Sequence, residues 1–309
     1  MSGKIQLKTV DSLLKEAAKA LRPKKMTCEA DQKLGWLEAE ILMAHAIKKE
    51  RAWVIAHSDD SITPSIEKQF TGFVNRRLAH EPIAYILGAK DFYGRPFFVN
   101  TMTLIPRPET ELMIETLKKN YKQKDRLLIW DVGTGSGAIA ITAALEFPNA
   151  AIIASDICKR ALRVAEKNAR LYSVEHRISF IQGNLLSEKV GKELRRQQIE
   201  KRKKNELPLV ILANLPYLLD SDKAKLTKDV TDFEPAKALY SGKDGLDLIR
   251  SLFSQISENL NVNPNLILAE FDPPQVKTIQ KLAKDMFPIE SVAIHKDIAK
   301  RERLIEIKI

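Results

Sequence analysis

Cysteine is nearly absent from this chain, and long apolar runs and internal repeats are missing. The 309 residues contain two cysteines, Cys28 and Cys158. They share no Cys-x-x-Cys spacing, and no histidine cluster accompanies them. That argues against a disulfide framework and against a zinc site, so no metal is expected, and it fits a reducing, cytoplasmic setting. No apolar stretch reaches the ~20 residues needed to cross a bilayer, so no membrane partner is expected. Residues 1–10 are polar and lack the apolar centre of a signal peptide. Nothing repeats at a solenoid period. His45, His57 and His80 stand apart from one another and read as structural or surface groups.

What is present is material for packed domains. Hydrophobic residues make up 44% and charged residues 29%, a mix that supports a core and argues against global disorder. The length suits two domains. Lysine and arginine outnumber aspartate and glutamate by 50 to 40, a formal charge of +10. Such a surface attracts nucleic acid, ribosomal particles or acidic proteins. No exposed apolar stripe stands out, so a monomer is expected.

The pattern divides the chain at two places. Residues 1–88 read as a helical domain. Val10, Leu13, Leu14, Ala17, Ala18 and Leu21 recur at three-and-four spacing. Trp36, Leu37, Ile41, Leu42, Ala44 and Ile47 mark a second helix, its start signalled by Thr27, Glu29 and Asp31. Residues 65–78 form a third, with Pro64 at its first turn. Residues 89–106 read as a β-hairpin, with strands over 91–99 and 103–105 and a turn between them. Residues 107–309 alternate strands and helices, the mark of an α/β parallel sheet. Strands are expected at 127–130, 151–154, 178–181, 209–212 and 266–269. Helices are expected at 138–147, 159–172 and 246–260, the second with Ala161, Leu162, Ala165, Ala169 and Leu171 on one side. Residues 304–309 alternate apolar side chains with charge, as an edge strand would. The basic stretch 187–208, with Arg195-Arg196 and Lys201-Arg202-Lys203-Lys204, breaks the alternation. It reads as a solvated helical insertion, or as a contact for RNA or the ribosome.

Asp131-Val132-Gly133-Thr134-Gly135-Ser136-Gly137 follows a strand and opens a helix. Glycines there permit a tight turn and a close ligand approach. A dinucleotide site also places glycines at this point. Two features favour S-adenosyl-L-methionine instead. The glycines alternate as Gly-x-Gly-x-Gly, and Asp131 just before them can neutralise a cationic amino-acid end, where a diphosphate would want positive potential. Asp156 ends the next strand. It can hold ribose hydroxyls, or it can cap the helix over 159–172.

Asn214-Leu215-Pro216-Tyr217 follows the fourth strand, at the carboxyl edge of the sheet. The Asn214 side-chain oxygen and the Leu215 or Pro216 carbonyl can accept both hydrogens of a planar NH2 group. That aims the nitrogen lone pair at an activated methyl and stabilises charge growing on nitrogen. Pro216 stiffens the loop, and the Tyr217 ring can lie against a planar substrate.

Several segments resemble the peptide chain release factor glutamine methyltransferases, over nearly the whole chain. They are Glu81-Pro82-Ile83-Ala84-Tyr85-Ile86-Leu87-Gly88, Phe92-Tyr93-Gly94, and Leu104-Ile105-Pro106-Arg107-Pro108-Glu109-Thr110-Glu111. The loop from Asp131 to Ala138, Phe233-Glu234-Pro235 and Ser241-Gly242-Lys243-Asp244-Gly245-Leu246 complete the likeness. The resemblance implies a Rossmann-like class I methyltransferase sheet, a small all-helical N-terminal domain that helps bind the release factor, and methylation of the glutamine amide in a Gly-Gly-Gln loop. It implies Asn214, Pro216 and Tyr217 as catalytic residues, with the Pro216 carbonyl as second acceptor. Leu215 and Phe98 would help line the substrate pocket. Asp131, Gly133, Thr134, Gly135, Ser136, Gly137, Asp156, Asn184, Leu185 and Asn214 would contact the cofactor.

Two positions depart from that family's pattern. Leu215 replaces a proline, which leaves the carbonyl in place but softens the loop. Asn184-Leu185 replaces an acidic–aromatic pair, which implies a weaker hold on the adenine. Asn-Leu-Pro-Tyr also occurs in RNA adenine dimethyltransferases, so an RNA or DNA adenine N6-methyltransferase is the competing reading. The charge favours it, and the segment 107–111 has no place in it.

Overall fold

The computed structural model describes residues 7–22, 29–201, 207–259 and 262–309. Thr27, Cys28, Leu260 and the basic residues Arg202, Lys203 and Lys204 lie outside the described residues. The chain forms two compact units, one of residues 1–88 with 228–233 and one of residues 89–227 with 234–309.

The first unit is helical: α1 (Val10–Ala20), α2 (Glu29–Ile47), α3 (Arg51–Ala56), α4 (Pro64–Leu78) and α5 (Ile83–Leu87). Local chemistry sets the starts of α1 and α4. Thr9 caps α1 by accepting the Ser12 N–H, and Thr63 caps α4 ahead of Pro64. Val10, Leu13, Leu14, Leu42, Met43, Val54, Phe70 and Val74 share one core. Glu38, 8% exposed, is gripped by the Arg77 guanidinium at 3.0–3.1 Å, which ties α2 to α4. His45 packs on Phe73, and His57 stacks on Trp53 while bonding its carbonyl.

The second unit opens with a hairpin, β1 (Ala89–Phe92) and β2 (Arg95–Phe98). The turn falls inside the segment 91–99, expected to be a single strand, and β1 begins two residues before it. Tyr93 (φ 53°) and Gly94 (φ 70°) are left-handed, the pair that a two-residue turn needs to match strand twist. Residues 103–105 are irregular rather than a strand. Then follow α6 (Glu111–Asn120), β3 (Leu128–Val132), α7 (Ala138–Glu146), β4 (Ala151–Asp156), α8 (Lys159–Leu171), β5 (Ile178–Gln182), α9 (Glu188–Lys201) and β6 (Leu209–Ala213). After α10 (Lys228–Phe233), which groups with the first unit, come α11 (Asp247–Ser257), β7 (Leu266–Glu270), α12 (Val276–Met286), β8 (Ser291–Lys296) and β9 (Glu302–Lys308).

The main sheet runs β5-β4-β3-β6-β7-β9-β8, parallel as far as β7 and antiparallel beyond it. Every residue of β3, β6 and β7 is buried, because helices cover both faces. Among the described residues, no helix is long and apolar enough to cross a membrane.

Three further expectations change here. Residues 304–309 do not form an edge: β9 pairs with β7 on one side and β8 on the other. The charge that suggested an edge, Glu306, is buried and lies 2.6 Å from His295 Nε2 across the strand pair. The stretch 187–208 is not an insertion that breaks the alternation. Its α9 is the crossover helix from β5 to β6, with Val190 and Leu194 in the core, while Lys192 pairs with Glu188 and Arg196 with Glu193. On α8, Leu171 is 62% exposed, and Asn168 is buried on the inner side instead.

The position of β9 is testable. Ile305, fully buried, should cost about 2–5 kcal/mol as Ile305→Ala, read from chemical denaturation. Leu171→Ala should cost less than about 0.5 kcal/mol. Equal effects would put β9 at the margin of the sheet.

Candidate active site

The glycine loop is bolted to the neighbouring strand. The Gly133 and Thr134 N–H groups both donate to the Ser155 carbonyl at 2.9 Å, and Gly137 N–H donates to Thr134 O at 2.8 Å. All three glycines have left-handed φ, 73°, 55° and 82°, a region costly for residues with a Cβ. Their surroundings differ. A Cβ at Gly137 would press on Ala165 of α8 at 3.0 Å, so this glycine serves helix packing. A Cβ at Gly133 would meet Leu215 Cδ2 at 3.0 Å, and one at Gly135 would meet nothing closer than 3.9 Å. Gly135 therefore leaves open space beside the backbone, as a ligand-facing position should.

Two carboxylates hold this loop from beneath. Asp131 is fully buried. Its Oδ2 accepts the Thr134 hydroxyl at 2.6 Å and the Ala140 N–H at 3.1 Å, while its Oδ1 has no partner. Burial pushes its pKa up to about 7. An unpaired buried carboxylate oxygen is costly, and a cationic group placed against it would remove the cost. The Thr134 hydroxyl is spent on Asp131 and its backbone N–H and carbonyl on Ser155 and Gly137, so Thr134 holds the loop in shape. Asp156 accepts from Cys158 N–H at 2.7 Å and Gly135 N–H at 2.9 Å. Burial raises its pKa as well. It thus starts the turn into α8, whose cap residue is Cys158, and it also braces the glycine loop. Remaining lone pairs on its oxygens can still accept from hydroxyls.

Asn168 was not anticipated. From α8 its amide donates to Phe98 O and Ser136 O at 2.9 and 2.8 Å, and its oxygen accepts the Phe98 N–H at 2.8 Å. One buried carboxamide thereby joins the hairpin to the glycine loop. Phe98 is placed on the Ser136 side of the loop, its ring 3.4 Å below the Lys167 ammonium. Asn184 is exposed. Leu185, at φ 45°, is 6% exposed and belongs to the core, so it shows little side chain to a ligand.

The Asn214 loop leaves β6 beside the glycine loop, with Leu215 buried against Gly133. Four ties fix it. Asn214 Nδ2 donates to Thr110 Oγ1 at 2.8 Å. The Tyr217 hydroxyl donates to Glu270 Oε1 at 3.0 Å, which together with burial drives its pKa far up. The Tyr217 carbonyl accepts from Gln275 Nε2 at 2.8 Å. Gly245, at φ 73°, lies so close that a Cβ there would fall on the Tyr217 carbonyl oxygen. Pro216 is half-buried.

The Arg-Pro-Glu-Thr-Glu stretch also acquires a physical role. Arg107 bonds Glu234 at 2.5 Å, Glu109 accepts from Arg301 at 2.9 Å, and Glu111 accepts the Tyr93 N–H at 2.8 Å. Thr110 donates to Glu270 Oε2 at 2.7 Å. Neither Glu270 nor the role of Thr110 was anticipated. The signal for Glu270 was available: a carboxylate ends the buried strand β7, as Asp131 and Asp156 mark the ends of β3 and β4.

Asp131 makes ligand binding depend on pH. Only its ionised form attracts a cation, and its pKa is raised to about 7. Below that value, affinity for a cationic ligand seated against it should fall by up to about tenfold per pH unit. Asp131→Asn should flatten the profile in calorimetric titrations.

Comparison with known proteins follows the same division of the chain. Residues 12–88 match the family model of the PrmC N-terminal domain, and residues 107–215 match that of ribosomal protein L11 methyltransferase (PrmA). The release factor glutamine methyltransferase of Bacillus cereus is 34% identical over 272 residues, 86% of this chain and 90% of that protein. That of Coxiella burnetii is 34% identical over 87% of this chain and 89% of its own. A bifunctional methyltransferase of Rickettsia prowazekii is 32% identical over 88% of this chain and 53% of its own length. The hMettl16 catalytic domain, solved with an RNA hairpin, shares the fold at 10% identity, with a TM-score of 0.55 over 76% of this chain and 80% of that one. The fold is thus a Rossmann-like class I methyltransferase, and identity sustained across both units shows that this chain belongs to the release factor glutamine methyltransferase family.

Proposed function

We propose that this enzyme methylates the side-chain amide nitrogen of the glutamine in the Gly-Gly-Gln motif of peptide chain release factors. We propose S-adenosyl-L-methionine as the methyl donor and the helical N-terminal unit as part of the release factor contact. The observation that carries the reading is the setting of Asn214. Its amide nitrogen is committed to Thr110, which leaves Oδ1 as an acceptor on a loop that touches the glycine loop through Leu215 and Gly133.

The cofactor supplies an electrophilic methyl group on a sulfonium. The chain's own residues supply the rest. The unpaired Asp131 Oδ1 and the open side of Gly135 suit the cationic amino-acid end. Asp156 suits the ribose. Asn214 Oδ1 and the Pro216 carbonyl accept the two hydrogens of the glutamine NH2. An amide nitrogen is a poor nucleophile because its lone pair is conjugated. Two acceptors holding its hydrogens favour loss of that conjugation and stabilise the positive charge that grows on nitrogen. The proton can leave after transfer, so no strong base is required. The Tyr217 hydroxyl is bound to Glu270, so Tyr217 contributes its ring and not an acid.

Adenine presents a planar NH2 group too. The Asn-Leu-Pro-Tyr sequence and the +10 charge favour it as the second reading.

Mass spectrometry of a release factor's Gly-Gly-Gln peptide, with and without the enzyme, tests the first reading. A gain of one methyl on glutamine is expected, and label from the cofactor appearing in RNA alone would favour adenine. Asn214→Ala should lower kcat by about 100- to 1,000-fold with cofactor affinity little changed. Wild-type turnover in that variant would remove Asn214 from the chemistry.

A further inference from the structure

We infer that Thr110, polarised by Glu270, is the positioning residue that fixes which way the Asn214 carboxamide faces. This rests on the reading that Asn214 grips the substrate NH2.

A carboxamide is nearly symmetric in shape, so packing alone selects its orientation weakly. Turned one way, Asn214 offers its oxygen to the substrate NH2. Turned the other, it offers hydrogens, and donor faces donor. The hydroxyl of Thr110 decides between the two because it has one hydrogen to give. That hydrogen is directed to Glu270 Oε2 at 2.7 Å. Thr110 Oγ1 can then only accept from Asn214, and Nδ2 lies 2.8 Å away. Oδ1 is thereby turned from Thr110.

Thr110 and Glu270 are both buried, at 4% and 6% exposure, so water does not compete for these bonds. Glu270 Oε1 accepts the Tyr217 hydroxyl at 3.0 Å. One carboxylate therefore orients both ends of the four-residue loop. Thr110 is itself held on each side by the ties of Arg107, Glu109 and Glu111. It sits in a 3-10 turn, Pro108–Thr110, that opens α6. This supplies a physical reason for the spacing of charge around Thr110.

The test compares Thr110→Val, which keeps shape and removes the hydroxyl, with Thr110→Ser, which restores it. Both are assayed with S-adenosyl-L-methionine and a purified release factor. Thr110→Val should lower kcat about 10- to 100-fold with cofactor Kd close to wild type, and the melting temperature should fall by several degrees because Glu270 Oε2 loses its buried donor. Thr110→Ser should stay within about threefold of wild type. A second pair covers the case in which Thr110→Val does not fold. Glu270→Gln leaves one carbonyl oxygen for the Thr110 and Tyr217 hydroxyls together, so its kcat should fall between those of wild type and Glu270→Met. Glu270→Met frees the Thr110 hydrogen to point at Asn214 and should lower kcat at least tenfold.

Wild-type kcat in Thr110→Val or in Glu270→Met overturns the inference. Equal damage from Thr110→Ser and Thr110→Val overturns it as well, since the hydroxyl would then not be the active element. Failure of the unaltered enzyme to methylate the release factor would remove the underlying reading instead, whatever the variants do.

Discussion

The parallel pairing of β3 with β6 is the constraint on which the catalytic edge depends. Asp131 stands level with Leu212 and Val132 with Ala213, so the glycine loop and the Asn214 loop leave the sheet side by side. A slip of one residue in this register would turn Asp131 to the other face of the sheet and carry Leu215 off Gly133. Neighbouring parallel strands carry the supporting carboxylates at the same edge: Asp156 at the end of β4 and Glu270 at the end of β7. The sheet brings together groups that are far apart in sequence and aims them from one side.

These acids divide the work without sharing a chemical step. Asp131 and Asp156 brace the glycine loop and are destabilised as anions by burial. Glu270 is also pushed up by burial, and the Thr110 and Tyr217 hydroxyls and nearby Arg303 pull it back. A protein with a basic surface thus keeps an electronegative seam at one edge of its sheet. Such a seam suits a cationic ligand and a substrate that presents donors.

Much of this is readable in the sequence. The alternation from Leu128 onward, the Gly-x-Gly-x-Gly turn and Asn214 after a buried strand follow from local pattern and spacing. The ties that make the site rigid were not readable, because they join distant positions. Thr110 meets Asn214 across 104 residues and Glu270 across 160. No periodicity links such pairs. The edge assignment of residues 304–309 failed for a related reason. Glu306 looks like a solvent-facing charge until His295 is brought opposite it by the fold. In 187–208 the density of lysine and arginine hid the apolar side of α9, which needs only Val190 and Leu194 to be a sheet-covering helix.

An inner β9 also sets the order in which the antiparallel end of the sheet opens. Its backbone is held by a ladder on each flank, and Phe271 N–H, just past β7, donates to Arg303 O. Fraying from β8 inward would expose one ladder at a time, so amide hydrogens of β8 exchange with solvent first, those of β9 next and those of β7 later. Glu270 ends the strand on that slow side. Glu270, which orients the Asn214 loop, therefore stands two strands in from the β8 edge.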